Sequence, residues 1–299
     1  MSLKKESPFD IQLHLAALNG NLPLMTRILD SGRVYVDSKD KEGTTPLILA
    51  AANGHFECVK ELIDQGADPS AKRNTGTTAL FFAAQGGYLD TVRFLIDNGA
   101  SVDSPSCDGG RPLFVTCQGG HIGVVKELVN RGANVNAQMK DKATPLFIAA
   151  QNGHYNVVVY LLAHGAEPEI RRTDGATPLW IAAQMGHDHI VALLLKAGAF
   201  VDSARHDGAT ALFKAAHKGH IATISELLRY RPSLGILPNG ESALHAAAFS
   251  GNLSVCKQLI RAGARPNLKN QDGFSPIDIA QQQGHNIVYE YLSEKVKSS

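Results

Sequence analysis

The chain has 299 residues, of which 44% are hydrophobic and 19% charged, and its formal net charge is +1. This balance is typical of a folded protein, and it gives no global attraction to nucleic acid or to an anionic membrane. No apolar run reaches the roughly 18 residues of a membrane span, and we expect no signal peptide, because the first residues are polar.

The cysteines indicate a reducing compartment. Cys58, Cys107, Cys117 and Cys256 show neither close pairing nor the spacing of metal ligands. Unpaired thiols are typical of intracellular proteins. We therefore expect a cytoplasmic location, with the nucleus as a second compartment.

A 33-residue period runs through almost the whole chain, and glycines mark it. The same register holds Gly43, Gly76, Gly109, Gly175 and Gly208. Lys142 fills the one vacant position, and after a one-residue deletion Gly240 and Gly273 resume the register. Such a period indicates stacked repeats, each of which buries its apolar face against its neighbours.

Each period predicts two helices, and the second period shows the pattern clearly. A first helix begins after Thr45 at Pro46, because threonine is a good N-cap and proline suits the first turn. Gly54 ends this helix. A second helix, with Leu62 on its buried face, closes at Gly66, since glycine readily adopts the left-handed turn that ends a helix.

This pattern resembles the ankyrin repeat, whose period is about 33 residues and whose first helix opens with Thr-Pro-Leu-His-x-Ala. The resemblance implies an all-α repeat solenoid of stacked helix-turn-helix units with hairpin-like loop tips. We interpret residues 9–292 as one solenoid domain between a short N-terminal tail, 1–8, and a C-terminal tail, 293–299. The expected repeats begin near residues 9, 41, 74, 107, 140, 173, 206, 238 and 271.

In five consecutive repeats, the position after the first leucine of the first helix carries an aromatic residue where the ankyrin pattern has histidine. This aromatic column consists of Phe81, Phe114, Phe147, Trp180 and Phe213. Four residues later, on the same helix face, stand Gln85, Gln118, Gln151 and Gln184. An apolar stripe edged by amides suits a peptide or a helix, with Trp180 as the hot spot. The alternative is that the rings fill gaps between neighbouring repeats and are buried.

The loop tips carry basic residues at corresponding places, of which Arg73, Arg172 and Arg205 are candidate partner contacts. Such a row would steer an acidic partner segment toward the tips. Acidic residues such as Asp174 and Asp207 are interleaved, so an ordinary solvated edge is the alternative. The near-neutral net charge argues against nucleic-acid binding.

Histidines follow the glycine that ends several first helices, at His55, His121, His154, His187, His220 and His285. Equivalent residues of adjacent repeats lie about 8–10 Å apart, too far to share a zinc ion. We expect these rings to hydrogen-bond their own loops. The sequence has no phosphate-binding loop, nucleophile motif or clustered carboxylate pair outside the repeat pattern, so we predict no catalytic residue, metal or cofactor.

Two segments break the repeat pattern. Between residues 229 and 238 the usual Gly-Ala closure is missing and one residue is deleted. The repeat near residue 107 opens with Arg111 before Pro112 and has Thr116-Cys117 in place of Ala-Ala. We expect weaker stacking at both places. We interpret the first segment as a tolerated loop variant, with a local hinge or a partner-specific contact as the alternatives.

The resemblance implies a non-enzymatic scaffold that binds a protein or peptide of unknown identity in a concave groove formed by loop tips and first helices. The alternatives are a membrane-skeleton or channel-anchoring linker and, more remotely, an enzyme with an unrecognised site. We expect a monomer without direct membrane insertion. The resemblance also implies Asn136 as a candidate for hydroxylation, because it matches the loop asparagine that oxygenases modify in many ankyrin proteins.

Overall fold

The computed structural model describes residues 7–297, and their regular secondary structure is entirely α-helical. The eighteen helices within residues 7–297 are alternately the first and the second helices of the repeats. No strand occurs within this described range. The all-α repeat fold expected from the sequence is confirmed.

The chain divides after Lys140 into two compact bodies. The N-terminal body contains α1 (Pro8–Leu18), α2 (Leu22–Asp30), α3 (Pro46–Ala52), α4 (Phe56–Asp64), α5 (Ala79–Gln85), α6 (Leu89–Asp97), α7 (Pro112–Gly119) and α8 (Ile122–Asn130). The C-terminal body contains α9 (Pro145–Gln151), α10 (Tyr155–Ala163), α11 (Pro178–Met185), α12 (Asp188–Lys196), α13 (Ala211–Lys218), α14 (Ile221–Leu228), α15 (Ala243–Phe249), α16 (Leu253–Arg261), α17 (Pro276–Gln282) and α18 (Asn286–Lys297). Within each body the odd-numbered helices pack side by side in one layer and the even-numbered helices in another.

The predicted start signals of the first helices are confirmed. Thr45 accepts a hydrogen bond from the amide of Ile48, and Thr144 accepts one from the amide of Phe147. The same bond recurs at the starts of α5, α11 and α13. These caps satisfy backbone amides that a helix start leaves without an intrahelical partner. In α7, Arg111 occupies this position and makes no such bond.

The loop tips are hydrogen-bonded turns that also contact the next tip. The Arg73 amide donates to the carbonyl of Thr77 at 3.0 Å, which closes the turn. The Asn74 amide donates to the carbonyl of Glu42 in the preceding tip at 2.9 Å. The tips therefore join neighbouring repeats independently of helix packing.

Two non-glycine residues adopt the left-handed backbone conformation. Lys142, at the vacant position of the glycine register, has φ 65°. Arg231, with φ 51°, stands where the preceding repeat has Gly198, with φ 93°. The closure that seemed missing between residues 229 and 238 is therefore formed by Arg231 instead of glycine.

The ends differ from the expected tails. α1 begins at Pro8, and Ser7 and Asp10 form a reciprocal capping box around its start. α18 continues to Lys297, so residues 293–297, expected as a tail, complete the last helix. Residues 1–6 and 298–299 of the two expected tails lie outside the described residues.

Candidate interaction surface

The predicted aromatic column is largely buried. Phe147 and Trp180 are each 2% exposed and Phe213 is 9% exposed, whereas Phe81 and Phe114 are half-buried. Three of the five rings thus fill gaps between repeats, as the alternative interpretation held. Because a hot spot must be accessible to a partner, the role expected for Trp180 is incompatible with its position.

Trp180 is also hydrogen-bonded to the loop that follows its repeat. The indole Nε1–H of Trp180 donates to the carbonyl oxygen of Ala209 at 3.0 Å. In the same column, His245 Nε2 lies 3.1 Å from the carbonyl oxygen of Phe274. The Ser242 amide donates to His245 Nδ1, so Nε2 carries the proton for that bond. The indole of Trp180 and the imidazole of His245 therefore perform the same structural task.

The loop-tip arginines cover aromatic rings of the first helices. The guanidinium of Arg172 lies 5.2 Å from the centroid of the Phe147 ring, and that of Arg205 lies 5.0 Å from Trp180. In the N-terminal body, Arg73 lies 5.6 Å from the ring of Phe82. Through these cation–π contacts, the arginines that were predicted to bind a partner pack against aromatic rings of the protein itself.

The same arginines are paired with carboxylates of the tips. Arg172 contacts Asp174 at 2.6 Å, and Arg205 contacts Asp207 at 2.8 Å and Asp174 at 3.7 Å. The Arg172 guanidinium, as hydrogen-bond donor, lowers the pKa of Asp174 to about 2. Arg73 forms an ion pair with Glu42. The positive charges of these three tip arginines are therefore compensated by carboxylates of the same chain.

The four predicted glutamines remain at the surface. Gln85 and Gln118 are exposed, and Gln151 and Gln184 are half-buried. Exposed apolar residues of the C-terminal body stand near this position: Met185 directly follows Gln184, and Phe249 is the equivalent residue of a later repeat. The ring of Phe249 stacks on His217 at 6.0 Å between centroids.

Five of the six predicted histidines bind the preceding repeat and not their own loops, which corrects the sequence expectation. Nε2 of His55 lies 2.9 Å from the carbonyl oxygen of Leu18, and Nε2 of His187 lies 3.0 Å from that of Gln151. Equivalent bonds are made by His121, His220 and His285. Across the part of the chain that the structure describes, no group of three or more His, Cys, Asp or Glu residues could hold a metal ion.

Sequence reasoning missed an exposed apolar surface in the N-terminal body, one residue beyond the aromatic column. Leu15 is 50% exposed, Ile11 46% and Leu18 39%. With the half-exposed Leu49 they line a depression that also includes His14 and Asp40. Phe82 occupies the position of Leu49 in the next first helix. We call Ile11, Leu15, Leu18, Leu49 and Phe82 the apolar strip. The signal in the sequence was the row of large apolar residues two positions after the first leucine.

The remaining predicted residues have ordinary environments. Asn136 is half-buried, and its amide donates to Asn134 Oδ1 at 2.9 Å. All four cysteines are free thiols. Burial raises the pKa of Cys256 to about 12 and that of Cys117 further still, which makes both thiols poor nucleophiles. Cys107 is exposed.

The chain belongs to the ankyrin-repeat family. The family model described as "Ankyrin repeats (3 copies)" matches residues 13–106, 100–172, 164–237 and 230–298. Proteins of this family are generally modules for protein–protein interaction and are typically not enzymes. None of the helices in residues 7–297 is long and apolar enough to span a membrane.

Two sets of relatives match parts of the chain. Over 73 residues it is 53% identical to ankyrin repeat domain-containing protein 29 of Danio rerio and 51% identical to the human protein of that name. Each match spans 24% of this chain and 24% of the relative's length. The chain is also 42% identical over 62 residues to the Notch-regulated ankyrin repeat-containing protein of Xenopus tropicalis, covering 21% of this chain and 54% of that relative.

Proposed function

We propose that the protein is a non-enzymatic scaffold that binds a protein or peptide partner on the exposed surface of its first helices. Family membership supports an interaction role, since repeat stacks present extended surfaces to partners. The observation that carries the proposal is the apolar strip. Large apolar side chains that are contiguous and exposed mark an interaction surface more often than scattered ones do.

The position of the strip distinguishes it from the repeat core. Leu15 is 50% exposed and Leu49 is half-exposed, whereas the equivalent residues of the C-terminal body, Ile148 and Ile181, are 8% and 6% exposed. The exposure of Leu15 and Leu49 is therefore not an obligatory feature of this helix position. A partner that covers them would remove apolar area from water at about 25 cal/mol per Å².

Affinity capture from cell lysate tests the proposal. The wild-type chain is compared with the variant Leu15→Ser, Leu49→Ser, Phe82→Ser and with a control, Tyr35→Ser, Phe200→Ser, Ile287→Ser, whose three residues are exposed outside the strip. We expect the strip variant to stay helical by circular dichroism and to lose specific partners that the control retains. A folded strip variant that keeps every partner would overturn the proposal.

A further inference from the structure

We infer that Ser233 is a phosphorylation site for a protein kinase that selects arginine before the modified serine, and that its phosphate loosens a link between two neighbouring repeats. In this reaction Ser233 Oγ attacks the γ-phosphorus of ATP, and the bond from that phosphorus to the bridging oxygen breaks. ADP leaves, and the hydroxyl proton passes to a base of the kinase. The inference does not depend on the proposed function.

The side chain of Ser233 is accessible. It lies in the segment 231–237, which follows α14 and contains neither helix nor strand. Ser233 is exposed, and its hydroxyl has no hydrogen-bond partner anywhere in residues 7–297. Irregular exposed segments are the places on a folded chain that a modifying enzyme reaches most readily. A kinase can therefore approach this hydroxyl without breaking a side-chain contact.

Two arginines stand shortly before Ser233. Arg229 and Arg231 precede it by four and two residues, and both are exposed. Arg229 is paired with Glu226, but its side chain is still 70% exposed, and Arg231 forms no ion pair with the residues that the structure describes. Between Glu226 and Glu241 the chain contains no acidic residue. Because kinases choose substrates by the charge pattern along the segment that they bind, this pattern favours a kinase that selects arginine.

A similar sequence in the N-terminal body lacks this accessibility. Arg73 stands two residues before Thr75. The hydroxyl of Thr75 is hydrogen-bonded to that of Thr77 at 2.8 Å, however, and Arg73 is paired with Glu42. Both residues belong to a tip that backbone hydrogen bonds close. The structure therefore favours Ser233 over Thr75 as the modified residue.

The backbone of Ser233 links two repeats. Its amide donates to both carboxylate oxygens of Asp202, in the loop of the preceding repeat, at 3.0 and 3.2 Å. The amide of Phe200 makes the equivalent bond to Glu169 at 2.9 Å. A phosphate on Ser233 adds a charge of about −1.5 to −2 at pH 7 beside the Asp202 carboxylate. Since like charges repel, phosphorylation weakens this link.

Phosphorylation of the full chain by the catalytic subunit of cyclic-AMP-dependent protein kinase, which selects arginine shortly before serine, tests the site. Mass spectrometry of protease digests should locate phosphate at Ser233 and not at Thr75. The variant Arg229→Gln, Arg231→Gly should lose this modification. Glycine suits the left-handed backbone at position 231, so this variant should keep its fold.

Three controls accompany this experiment. The variant Arg261→Gln, Arg265→Gln removes the same charge from two exposed arginines of the next repeat and should keep the modification. Ser101 is exposed at the equivalent place of an earlier repeat, and residues 96–100 before it include no basic residue, so it should stay unmodified. Ser233→Ala should remove the phosphopeptide.

Hydrogen exchange measured by mass spectrometry tests the weakened link. Peptides that contain the Ser233 amide should exchange about tenfold faster after phosphorylation, as the loss of a hydrogen bond to a charged group predicts. In the variant Asp202→Asn the phosphate meets no like charge and should accelerate exchange less.

The contrary outcomes are distinguishable. Absence of phosphate at Ser233, or a preference for Thr75, would overturn the site. Phosphate at Ser233 that persists in the Arg229→Gln, Arg231→Gly variant would overturn selection by arginine. Phosphorylation without faster exchange would overturn the weakened link. All these residues lie outside the apolar strip, so each of these outcomes leaves the proposed function to its own test.

Discussion

The Nε1–H of Trp180 donates a hydrogen bond to the carbonyl oxygen of Ala209, and both groups are buried in the C-terminal body. His14 makes the equivalent contact in the N-terminal body, where its Nε2 lies 3.0 Å from the carbonyl oxygen of Thr44. A ring nitrogen at this helix position therefore links a repeat to the loop that follows. Where phenylalanine stands instead, as at Phe147, the ring contributes packing without a donor.

We predict that Trp180→Phe destabilises the chain by about 2 kcal/mol, because the buried carbonyl of Ala209 loses its donor. Trp180→His should cost less, since an imidazole keeps a donor at a place where His245 already makes the same bond. Urea denaturation followed by circular dichroism measures both. If histidine were the more damaging substitution, ring volume and not the hydrogen bond would dominate.

Asp174→Asn should reduce the free energy of unfolding at neutral pH, because it removes the ion pair with Arg172. The loss should be only about 1 kcal/mol, because the carboxylate is partly exposed and solvent screens the pair. The pKa of Asp174 is about 2 in the folded chain, below the ~3.9 of an unperturbed aspartate. The stability that the charge contributes is therefore present above about pH 4 and is lost as the pH falls through about 2. An asparagine can still accept the Ala176 amide.

The measurement for Asp174 is the difference in unfolding free energy between wild type and variant as a function of pH. This difference should be constant between about pH 5 and 7 and should shrink between about pH 4 and 2. A difference that stays unchanged down to pH 2 would contradict a charge effect.

Arg231→Gly should stabilise the chain by about 0.5–1 kcal/mol. A side chain in the left-handed region is strained by about 1–2 kcal/mol, and glycine relieves the strain at some cost in the entropy of the unfolded chain. Lys142→Gly should act in the same direction, because Lys142 has the same backbone conformation. Thermal unfolding of the two variants tests this. Destabilisation by both would show that the long side chains themselves support the turns.

Thr223→Val should also stabilise, by about 1 kcal/mol. The hydroxyl of Thr223 is buried and has no hydrogen-bond partner among the described residues. Valine already stands at the equivalent place of other second helices, at Val124, Val157 and Val255.

Thr116→Val is the matched control for Thr223. Its buried hydroxyl donates to the carbonyl oxygen of Ala84 at 3.0 Å, so this substitution should destabilise. Equal effects of the two substitutions in chemical denaturation would show that the unsatisfied hydroxyl is not the cause.

The sequence alone predicted the local structure well, because local signals determine it. Threonine caps such as Thr45 and glycines such as Gly54 act within a few residues along the chain, and both place the helices correctly. Lys142, at the vacant position of the glycine register, adopts the left-handed conformation of the glycines that it replaces.

The candidate site was harder to predict, because contacts between repeats decide which side chains are exposed. Phe147 and the adjacent Ile148 are both buried, whereas the equivalent Leu49 is half-exposed. Residue type does not distinguish these cases; the neighbours of each side chain do. Likewise, the histidines hydrogen-bond to carbonyl oxygens 36 or 37 residues earlier in the chain, as His55 does to Leu18. No local sequence pattern predicts such a distant partner.

The histidine contacts have a consequence for how such chains change in length. The ring of His220 occupies the space that a β-carbon on Gly186 would need, at 2.8 Å, and His187 does the same at Gly153, at 2.7 Å. At these junctions the histidine ring of one repeat thus occupies the space that a glycine without a side chain leaves free in the preceding repeat. Deleting or duplicating one 33-residue period within a body preserves every such pair, whereas an indel of another length inside a helix pair separates them. Gene rearrangements that keep this protein folded should therefore proceed in whole repeats.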